Sequence, residues 1–401
     1  MWAGWLTGTP YPSGYGDRHH VGPVPVNRDA LETFALALVR TASPSGAEGA
    51  VAALVQAELE RLGYGVEVDE LGNVIGTLDA GPGPTVLFDA HMDTVGVTDP
   101  AAWSVDPAGE LRDGRLYGRG AMDMKGPLAA LVHGAAAVEL ERGRIVVSAS
   151  IAEEMIEGFA TVAVARRAEP DVAVICEATR RRVAVGQRGR AELIVEVQGR
   201  PTHSSRPDLG VNAVEAMADV LRAARELDLP THPALGPAIL VPTDIASRPY
   251  PALSVVPDQC TVTFDRRTLP GERERDALEP LRAAAEAAVA PHGATVRVSI
   301  GVDRFDSYSG AVVEAPNFAP AWYTGPDEEP ARTALAALGA EPTHWSFCTN
   351  GSGTAALGIP TIGFGPGDET LAHRVDEHIE LDELEAGARD YATLAAALTG
   401  D

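Results

Sequence analysis

The chain has 401 residues, more than one hydrophobic core usually fills, so we expect two lobes or one lobe with a large insertion. Its formal net charge of -25 argues against nucleic acid and anionic membrane surfaces as partners, because both would repel it. Three well-separated cysteines, Cys176, Cys260 and Cys348, predict no disulfide framework and no cysteine zinc site. With no membrane-spanning apolar run and no secretion signal, these features predict a cytoplasmic protein.

Residues 1–27 are rich in Gly, Pro and aromatic side chains, and we interpret them as an extended N-terminal arm. The paired His19 and His20 in this arm are not expected to bind a specific ligand. Over residues 28–182, segments with helical apolar spacing alternate with apolar strands such as TVLFDAHMDTV, RIVVSASI and DVAVICEA. This alternation predicts an α/β catalytic domain with a mostly parallel sheet covered by helices.

The pattern changes near residue 183, where the long strand RVAVGQRGRAELIVEVQGR begins. Two helices and three more strands follow it and complete a β-α-β-β-α-β unit near residue 301. We therefore predict an inserted α+β domain of ferredoxin-like topology over 183–301, here called the lid. Residues 302–401 then return to the first lobe with a helix near 329–338, the strand PTIGFG and a C-terminal helix.

Acids and histidines stand where several of these strands end. The stretch FDAHMDTVGV holds His91 and Asp93, whose side chains share one face of the strand. Later stretches hold Asp123, Glu153, Glu154, Glu177 and His373. Because ligands bind beyond the carboxyl ends of strands in open α/β sheets, these groups can converge. Converging carboxylates repel one another unless a cation lies between them, and this donor set suits zinc, with cobalt or manganese possible.

Each feature has a simpler explanation when it is taken alone. His91 could be a core histidine bonded to its neighbour, Asp123 could cap a helix, and Glu177 could be a solvent-exposed strand end. The Gly-rich stretch GRGAMDMKG lacks a third glycine in register and a Lys-Ser/Thr pair. We therefore reject a nucleotide site there.

Taken in order, the stretches HMDTV, GRGAMDMKG, SIAEEMIEG, VICEA and GPGDETLAH resemble the M20 family of dinuclear zinc metallohydrolases. The resemblance covers nearly all of the chain from residue 28. It implies two zinc ions per subunit, one held by His91 and Glu177 and the other by Glu154 and His373. In this family pattern, Asp123 bridges the two ions.

The resemblance also implies roles for residues that bind no metal. Asp93 would orient His91, and Glu153 would act as the general base on the zinc-activated water. The stretch GRPTHSSRPDLGVNA resembles the family's lid motif, in which a histidine, here His203, reaches the partner subunit's active site and stabilises the oxyanion. This implies a homodimer joined through the lid. The alternative for His203 is an exposed loop histidine capped by its own serines.

Substrate contacts follow from two further stretches. VPDQCTVTFDRRTLPGE resembles the strand whose arginine binds a substrate carboxylate; Arg267 fits the register best and Arg266 is the alternative. Ser254 stands where many family members have Asn, which alters a usual polar contact. The region from HWSFCTNGSG onward is most similar to a subgroup labelled selenium-metabolism hydrolases, a label that fixes no substrate. A substrate-side loop is expected at Asn350, Gly351 and Ser352.

Together these features predict a metallohydrolase that cleaves the amide bond of a small N-acyl amino acid or related metabolite. Glu at position 177 resembles the deacylase and carboxypeptidase branches more than the dipeptidases. A dipeptidase or carboxypeptidase releasing a C-terminal amino acid is the second hypothesis. A metal-free, non-catalytic binding protein is the third, and the presence of every expected ligand argues against it.

Overall fold

The computed structural model describes residues 24–251 and 253–400. Most of the predicted N-terminal arm, including His19 and His20, lies outside these residues. Among the described residues, no helix is long and apolar enough to cross a membrane. The helices are α1 Arg28–Arg40, α2 Gly49–Arg61, α3 Lys125–Ala135, α4 Phe159–Ala168, α5 Ala213–Arg225, α6 Glu274–Val289, α7 Ala331–Leu338, α8 Gly351–Ala356 and α9 Leu381–Thr399.

The strands are numbered in chain order. In the first half they are β1 Gly65–Val68, β2 Val74–Asp79, β3 Thr85–His91, β4 Glu110–Arg112, β5 Arg115–Tyr117, β6 Arg144–Ser150, β7 Val172–Ile175, β8 Val183–Gln187 and β9 Gly189–Gln198. In the second half they are β10 Thr231–His232, β11 Gly236–Pro237, β12 Ile239–Arg248, β13 Gln259–Thr268, β14 Thr295–Ile300, β15 Val302–Asp306, β16 Val312–Pro316, β17 Phe318–Ala319, β18 Trp322–Tyr323, β19 Pro342–Trp345, β20 Thr361–Gly363 and β21 His378–Glu380.

A nine-stranded mixed sheet forms the first lobe, in the order β1-β2-β6-β3-β7-β20-β8-β18, with β19 also beside β8. Its central run β6-β3-β7-β20 is parallel, as predicted, whereas β1, β2, β8 and β18 join antiparallel. Leu87 of β3 faces α4, and Phe88 faces α3 and α9 on the other side. Because helices cover both faces, every residue of β3 is buried, which explains its continuous apolar run.

The lid contains a second, antiparallel sheet in the order β12-β13-β9-β14. Its elements follow one another as β9, α5, β12, β13, α6 and β14, so the predicted ferredoxin-like unit is confirmed. Burial alternates strictly along β9 and β13. Their buried side chains pack against α5 and α6, and the opposite face of these strands is partly exposed.

The lid boundaries differ from the predicted 183 and 301. The stretch read as one strand is two: β8 pairs with β20 and β19 in the large sheet, and β9 begins the lid sheet after Arg188. The apolar pattern continues across Arg188, so it could not reveal this change of sheet. At the other end, β17 still pairs with β9, although Phe305 and Val313 before it pack in the core of the first lobe.

Two glycines set the distance between α8 and the loop that follows β6. Gly158 precedes α4 with φ +85°, and a Cβ on Gly353 of α8 would lie 2.1 Å from the carbonyl oxygen of Gly158. No side chain fits in this gap.

We therefore expect Gly353→Ala to lower the free energy of unfolding by about 1–3 kcal/mol, because overpacking outweighs the better helix propensity of Ala. Denaturant unfolding measures this change. The matched control is Ala356→Ser on the exposed side of α8, which should change stability by less than about 0.5 kcal/mol. Equal stabilities for the two variants would contradict the close approach.

Candidate active site

The predicted ligands come together at one edge of the large sheet. His91 ends β3, Glu153 and Glu154 follow β6, and Glu177 follows β7. These three strands are adjacent and parallel, so their carboxyl ends meet. The loop between β20, the next strand along, and β21 brings in His373. Sequence positions nearly 300 residues apart thus form one cluster.

Asp123 lies at the centre of this cluster, in the loop before α3. Its Oδ1 is 2.9 Å from Nε2 of His91, and its Oδ2 is 3.1 Å from Nε2 of His373. Glu177 approaches the first histidine at 3.2 Å, and Glu154 approaches the second at 3.0 Å. Asp123 therefore presents one oxygen to each of two His-Glu pairs. This is the arrangement expected of a carboxylate that bridges two ions.

Donor atoms are close enough for metal binding in two overlapping sets. Atoms of His91, Asp123 and Glu154 lie within 4.8 Å of one another, as do atoms of His91, Glu153 and Glu177. The second set includes the predicted general base, whose Oε2 is 3.8 Å from Nε2 of His91. The structure therefore brings all the predicted ligands together. Their role in metal binding stays a prediction.

Asp93 is fully buried and holds two parts of the site at once. Its carbonyl oxygen lies 3.0 Å from Nδ1 of His91, which leaves Nε2 directed at the cluster. Its carboxylate accepts the backbone N–H groups of Glu153 and Glu154, each at 3.1 Å. Ser45 donates a further hydrogen bond of 2.6 Å. The sequence suggested the first task but not the second.

Glu48, which sequence analysis missed, supports the same turn. Its side chain is fully buried, and Oε1 accepts the amides of Gly46 at 3.0 Å and Ala152 at 3.2 Å. Ala152 has φ +53°, an uncommon conformation for a residue with a side chain. Together with Asp93, Glu48 fixes three consecutive amides at the start of the acidic pair. The sequence offered no signal, because a Glu at a helix start is common.

Glu377, also missed, holds the loop that carries Asp123. It is fully buried, and its Oε1 accepts the amides of Gly120, Met122 and Asp123 at 2.8, 3.0 and 3.2 Å. Arg119 pairs with its other oxygen. Pairing of β21 with β5 carries Glu377 to this position from the far end of the chain. The loop that carries the central carboxylate is thus held by a buried side chain that binds three of its backbone amides and the guanidinium of Arg119.

The charges of the cluster depend on each other. Burial opposes protonation of His91, but the hydrogen bonds that its ring donates to carboxylates, first Asp123, outweigh burial and raise its pKa well above the usual range. Hydrogen bonds to Asp123 and Glu154 raise the pKa of His373 to about 10. Burial raises the pKa of Glu177 to about 7. The raised pKa values show that positive charge, whether from protons or from cations, stabilises this site. Its nitrogen and oxygen donors fit a pair of divalent cations.

A cavity of about 430 Å³ opens over the cluster, between the first lobe and the lid. Arg267 of β13 lines it, and so does Arg190 of β9, which sequence analysis missed. Arg266 is only 2% exposed and binds Glu272 at 2.6 Å. Because side chains alternate along a strand, the two neighbouring arginines face opposite sides of the lid sheet. Of these two candidates, Arg267 is the one at the cavity.

The predicted substrate-side loop is turned inward instead. Asn350 donates to Asp89 at 2.9 Å and accepts the amide of Gly158 at 2.8 Å. Ser352 is buried, and Gly351 lies against the indole of Trp322. None of Asn350, Gly351 and Ser352 lines the cavity, so this part of the prediction is not supported by their placement. Their polar groups fasten α8 to the sheet.

His203 lies away from the ligands of its own chain. It is exposed in the lid loop between β9 and α5, and its Nδ1 is 2.8 Å from the hydroxyl of Ser205. It does not line the cavity. Within one chain, the structure therefore does not bring His203 to the site.

Comparisons with known proteins agree with this fold and site. Residues 87–397 match the model of Peptidase family M20/M25/M40. The chain is 32% identical to the uncharacterised protein YgeY of Escherichia coli, covering 91% of this chain and 93% of that protein. It is 30% identical to succinyl-diaminopimelate desuccinylase of Caulobacter vibrioides, covering 93% and 96%.

A solved structure shares the fold at lower identity. A tripeptidase from Staphylococcus aureus superposes with a TM-score of 0.75 at 19% identity, over 94% of this chain and 100% of that one. The family match spans most of the chain and includes each of the predicted metal ligands. The chain therefore belongs to peptidase family M20/M25/M40 and is a hydrolase that acts on amide bonds.

Proposed function

We propose that the protein is a two-metal amidohydrolase, and the observation that carries this proposal is Asp123 with one oxygen toward each histidine. His91 and Glu177 would hold one ion, and Glu154 and His373 would hold the other. Zinc suits these donors best, with cobalt or manganese possible. When bound, such a pair lowers the pKa of water and polarises an amide carbonyl.

In this proposal Glu153 is the general base. It would take a proton from the attacking water and deliver it to the leaving nitrogen. Three observations favour the role: its side chain is only 9% exposed, burial raises its pKa, and its backbone amide is fixed by Asp93. A buried carboxylate with a raised pKa accepts and returns a proton readily near neutral pH.

The proposed substrate is a small N-acyl amino acid or related metabolite. The cavity has room for a small molecule, and Arg267 supplies a guanidinium that suits a carboxylate. The desuccinylase relative is named for removing an acyl group of this kind. We also propose that the enzyme is cytoplasmic, which its charge of -25 and scarcity of cysteines favour.

A substrate panel tests this assignment on the zinc-loaded enzyme. We expect hydrolysis of N-acetyl or N-succinyl amino acids, measured as release of the free amine. Dipeptides with a free C-terminus are the comparison, because a peptidase would cleave them faster. Turnover of dipeptides alone would replace the deacylase proposal with the carboxypeptidase alternative.

We expect Glu153→Gln to keep both metals and to lose roughly a hundredfold or more in kcat, since a positioned general base supplies about 10²–10⁴. Metal content by mass spectrometry and steady-state kinetics measure the two effects. The matched variant is Glu154→Gln, one residue away, which should lower metal occupancy. Loss of metal from Glu153→Gln, or near-full turnover, would contradict the assigned role.

We further propose a homodimer joined through the lid. β12 lies at the edge of the lid sheet, where its unpaired backbone groups can bind a second strand. Two apolar side chains on this edge strand, Val241 and Ile245, are 46% and 56% exposed. A dimer would give His203 a route to the partner subunit's cavity, where it would stabilise the oxyanion.

We expect His203→Ala to leave the metals bound and to lower kcat by about 10²–10³, the usual cost of removing one oxyanion donor. Mixing this variant with Glu153→Gln should restore activity once subunits exchange, because one site of the mixed dimer then has both groups intact. Exchange is verified with differently tagged subunits. No recovery after verified exchange, or a fully active monomer by light scattering, would refute the role in trans.

A further inference from the structure

Three charged side chains that line the cavity next to the lid, together with the carboxylate that binds two of them, form what we call the lid cluster: Arg190, Arg267, Glu157 and Asp265. Arg190 and Arg267 are direct cross-strand partners on β9 and β13, so their side chains leave the same face of the sheet. Both arginines line the cavity, and so does Glu157 from the loop after the acidic pair. The cluster therefore joins the two lobes at the cavity.

Each of the two arginines forms ion pairs but has hydrogen-bond donors left over. Arg267 binds Asp265 through Nε at 2.7 Å and Nη2 at 3.1 Å. Arg190 binds Asp265 through Nε at 3.3 Å and Glu157 through Nη1 at 3.1 Å. Among the described residues, Nη2 of Arg190 and Nη1 of Arg267 have no hydrogen-bond partner. A guanidinium carries five N–H donors, so each of the two cross-strand arginines keeps a donor group for a ligand carboxylate.

Glu157 keeps acceptor capacity as well. Among the described side chains, Arg190 is the one that binds its oxygens, at 3.1 and 3.3 Å, and the Glu157 side chain is 12% exposed. An ionised carboxylate accepts about four hydrogen bonds. A cationic group of the ligand can therefore bind Glu157 while Arg190 stays in place.

The lid cluster carries two positive and two negative charges, so its formal charges cancel. A ligand with only a carboxylate would add uncompensated negative charge beside Glu157 in a partly dehydrated site. A lone ammonium would add uncompensated positive charge beside Arg190. A ligand group that contains both charges adds none. The cluster is thus complementary to a zwitterion rather than to a simple anion.

We propose that the lid cluster binds a free amino-acid head group, with its carboxylate on Arg190 and Arg267 and its ammonium on Glu157. This inference rests on the proposed function, because the metal ligands at the other end of the cavity must then receive the amide bond. The substrate class is therefore an amino acid acylated on its side chain, with a free α-amino and α-carboxyl group. This goes beyond the carboxylate contact that family resemblance implies for Arg267.

Isothermal titration calorimetry on the metal-loaded protein tests the inference with three matched ligands. L-Norleucine carries both charges, hexanoate lacks the ammonium, and pentylamine lacks the carboxylate. We expect norleucine to bind about tenfold or more tightly than either, since one hydrogen bond to a charged group contributes about that factor. Similar affinities for norleucine and hexanoate, or no measurable binding of norleucine, would overturn the proposal.

Two variants separate the lid cluster from direct contact with the metals. We expect Glu157→Gln to weaken norleucine about tenfold and to leave hexanoate as tightly bound or tighter, because a repelling carboxylate is removed, whereas Arg190→Gln should weaken both. The control is Arg297→Gln on the edge strand β14. It removes an exposed ion pair between Arg297 and Glu196 and should change neither affinity. Unchanged norleucine binding in both cluster variants would overturn the proposal, because the metals alone would then account for it.

Failure of this inference is distinguishable from failure of the proposed function. The titrations need no hydrolysis, so they report on the lid cluster even if the reaction differs. In parallel, Nε-acetyl-L-lysine and 6-acetamidohexanoate differ only in the α-ammonium group. Equal release of acetate from the two would leave amide hydrolysis intact and reject the zwitterion site alone.

Discussion

Compensation of buried negative charge is the constraint on which the site depends. The parallel strands β6, β3 and β7 end side by side, and their ends bring Glu154, His91 and Glu177 around Asp123. So many carboxylates in one buried place are unfavourable unless positive charge lies among them. Within the described cluster the two imidazoles supply it, and the hydrogen bonds that they donate to carboxylates raise the pKa values of His91 and His373.

A second set of buried carboxylates is compensated in a different way. Glu48, Asp93 and Glu377 accept backbone amides and so obtain partial positive charge from the chain itself. Each of these contacts fixes a loop that carries part of the ligand cluster. The outer carboxylates thus position the inner ones, because each of them binds the backbone of a loop on which a cluster residue stands.

The lid controls the other end of the cavity through strand register. Side chains alternate along β13, so Arg266 packs against the lid's own core while Arg267 and Asp265 face the first lobe. Arg190 follows the same rule on β9. A shift of one residue in either strand would remove the charged groups from the cavity and bury them among apolar helices. The charge at this end of the cavity therefore depends on how the lid core is packed.

Local sequence was sufficient to predict the types of element and to single out the candidate ligands. Periodicity predicted the parallel centre of the large sheet and the ferredoxin-like order of the lid, because helices and strands impose spacings of 3.6 and 2 residues. Ionisable residues at the ends of buried strands, such as His91 and Glu177, stood out because burial without a partner is costly. Resemblance to a family then assigned them roles.

Contacts between residues far apart in the chain became visible only in the folded structure. The contact between Glu48 and the amide of Ala152 spans 104 residues, and that between Glu377 and Met122 spans 255. Asn350 turned inward because Asp89 and Gly158 offered it partners that no local pattern reveals. Sequence alone determined which residues could do chemistry, since that follows from side-chain type and local spacing. Packing determined which atoms meet, since a hydrogen bond depends on distance in space and not on separation along the chain.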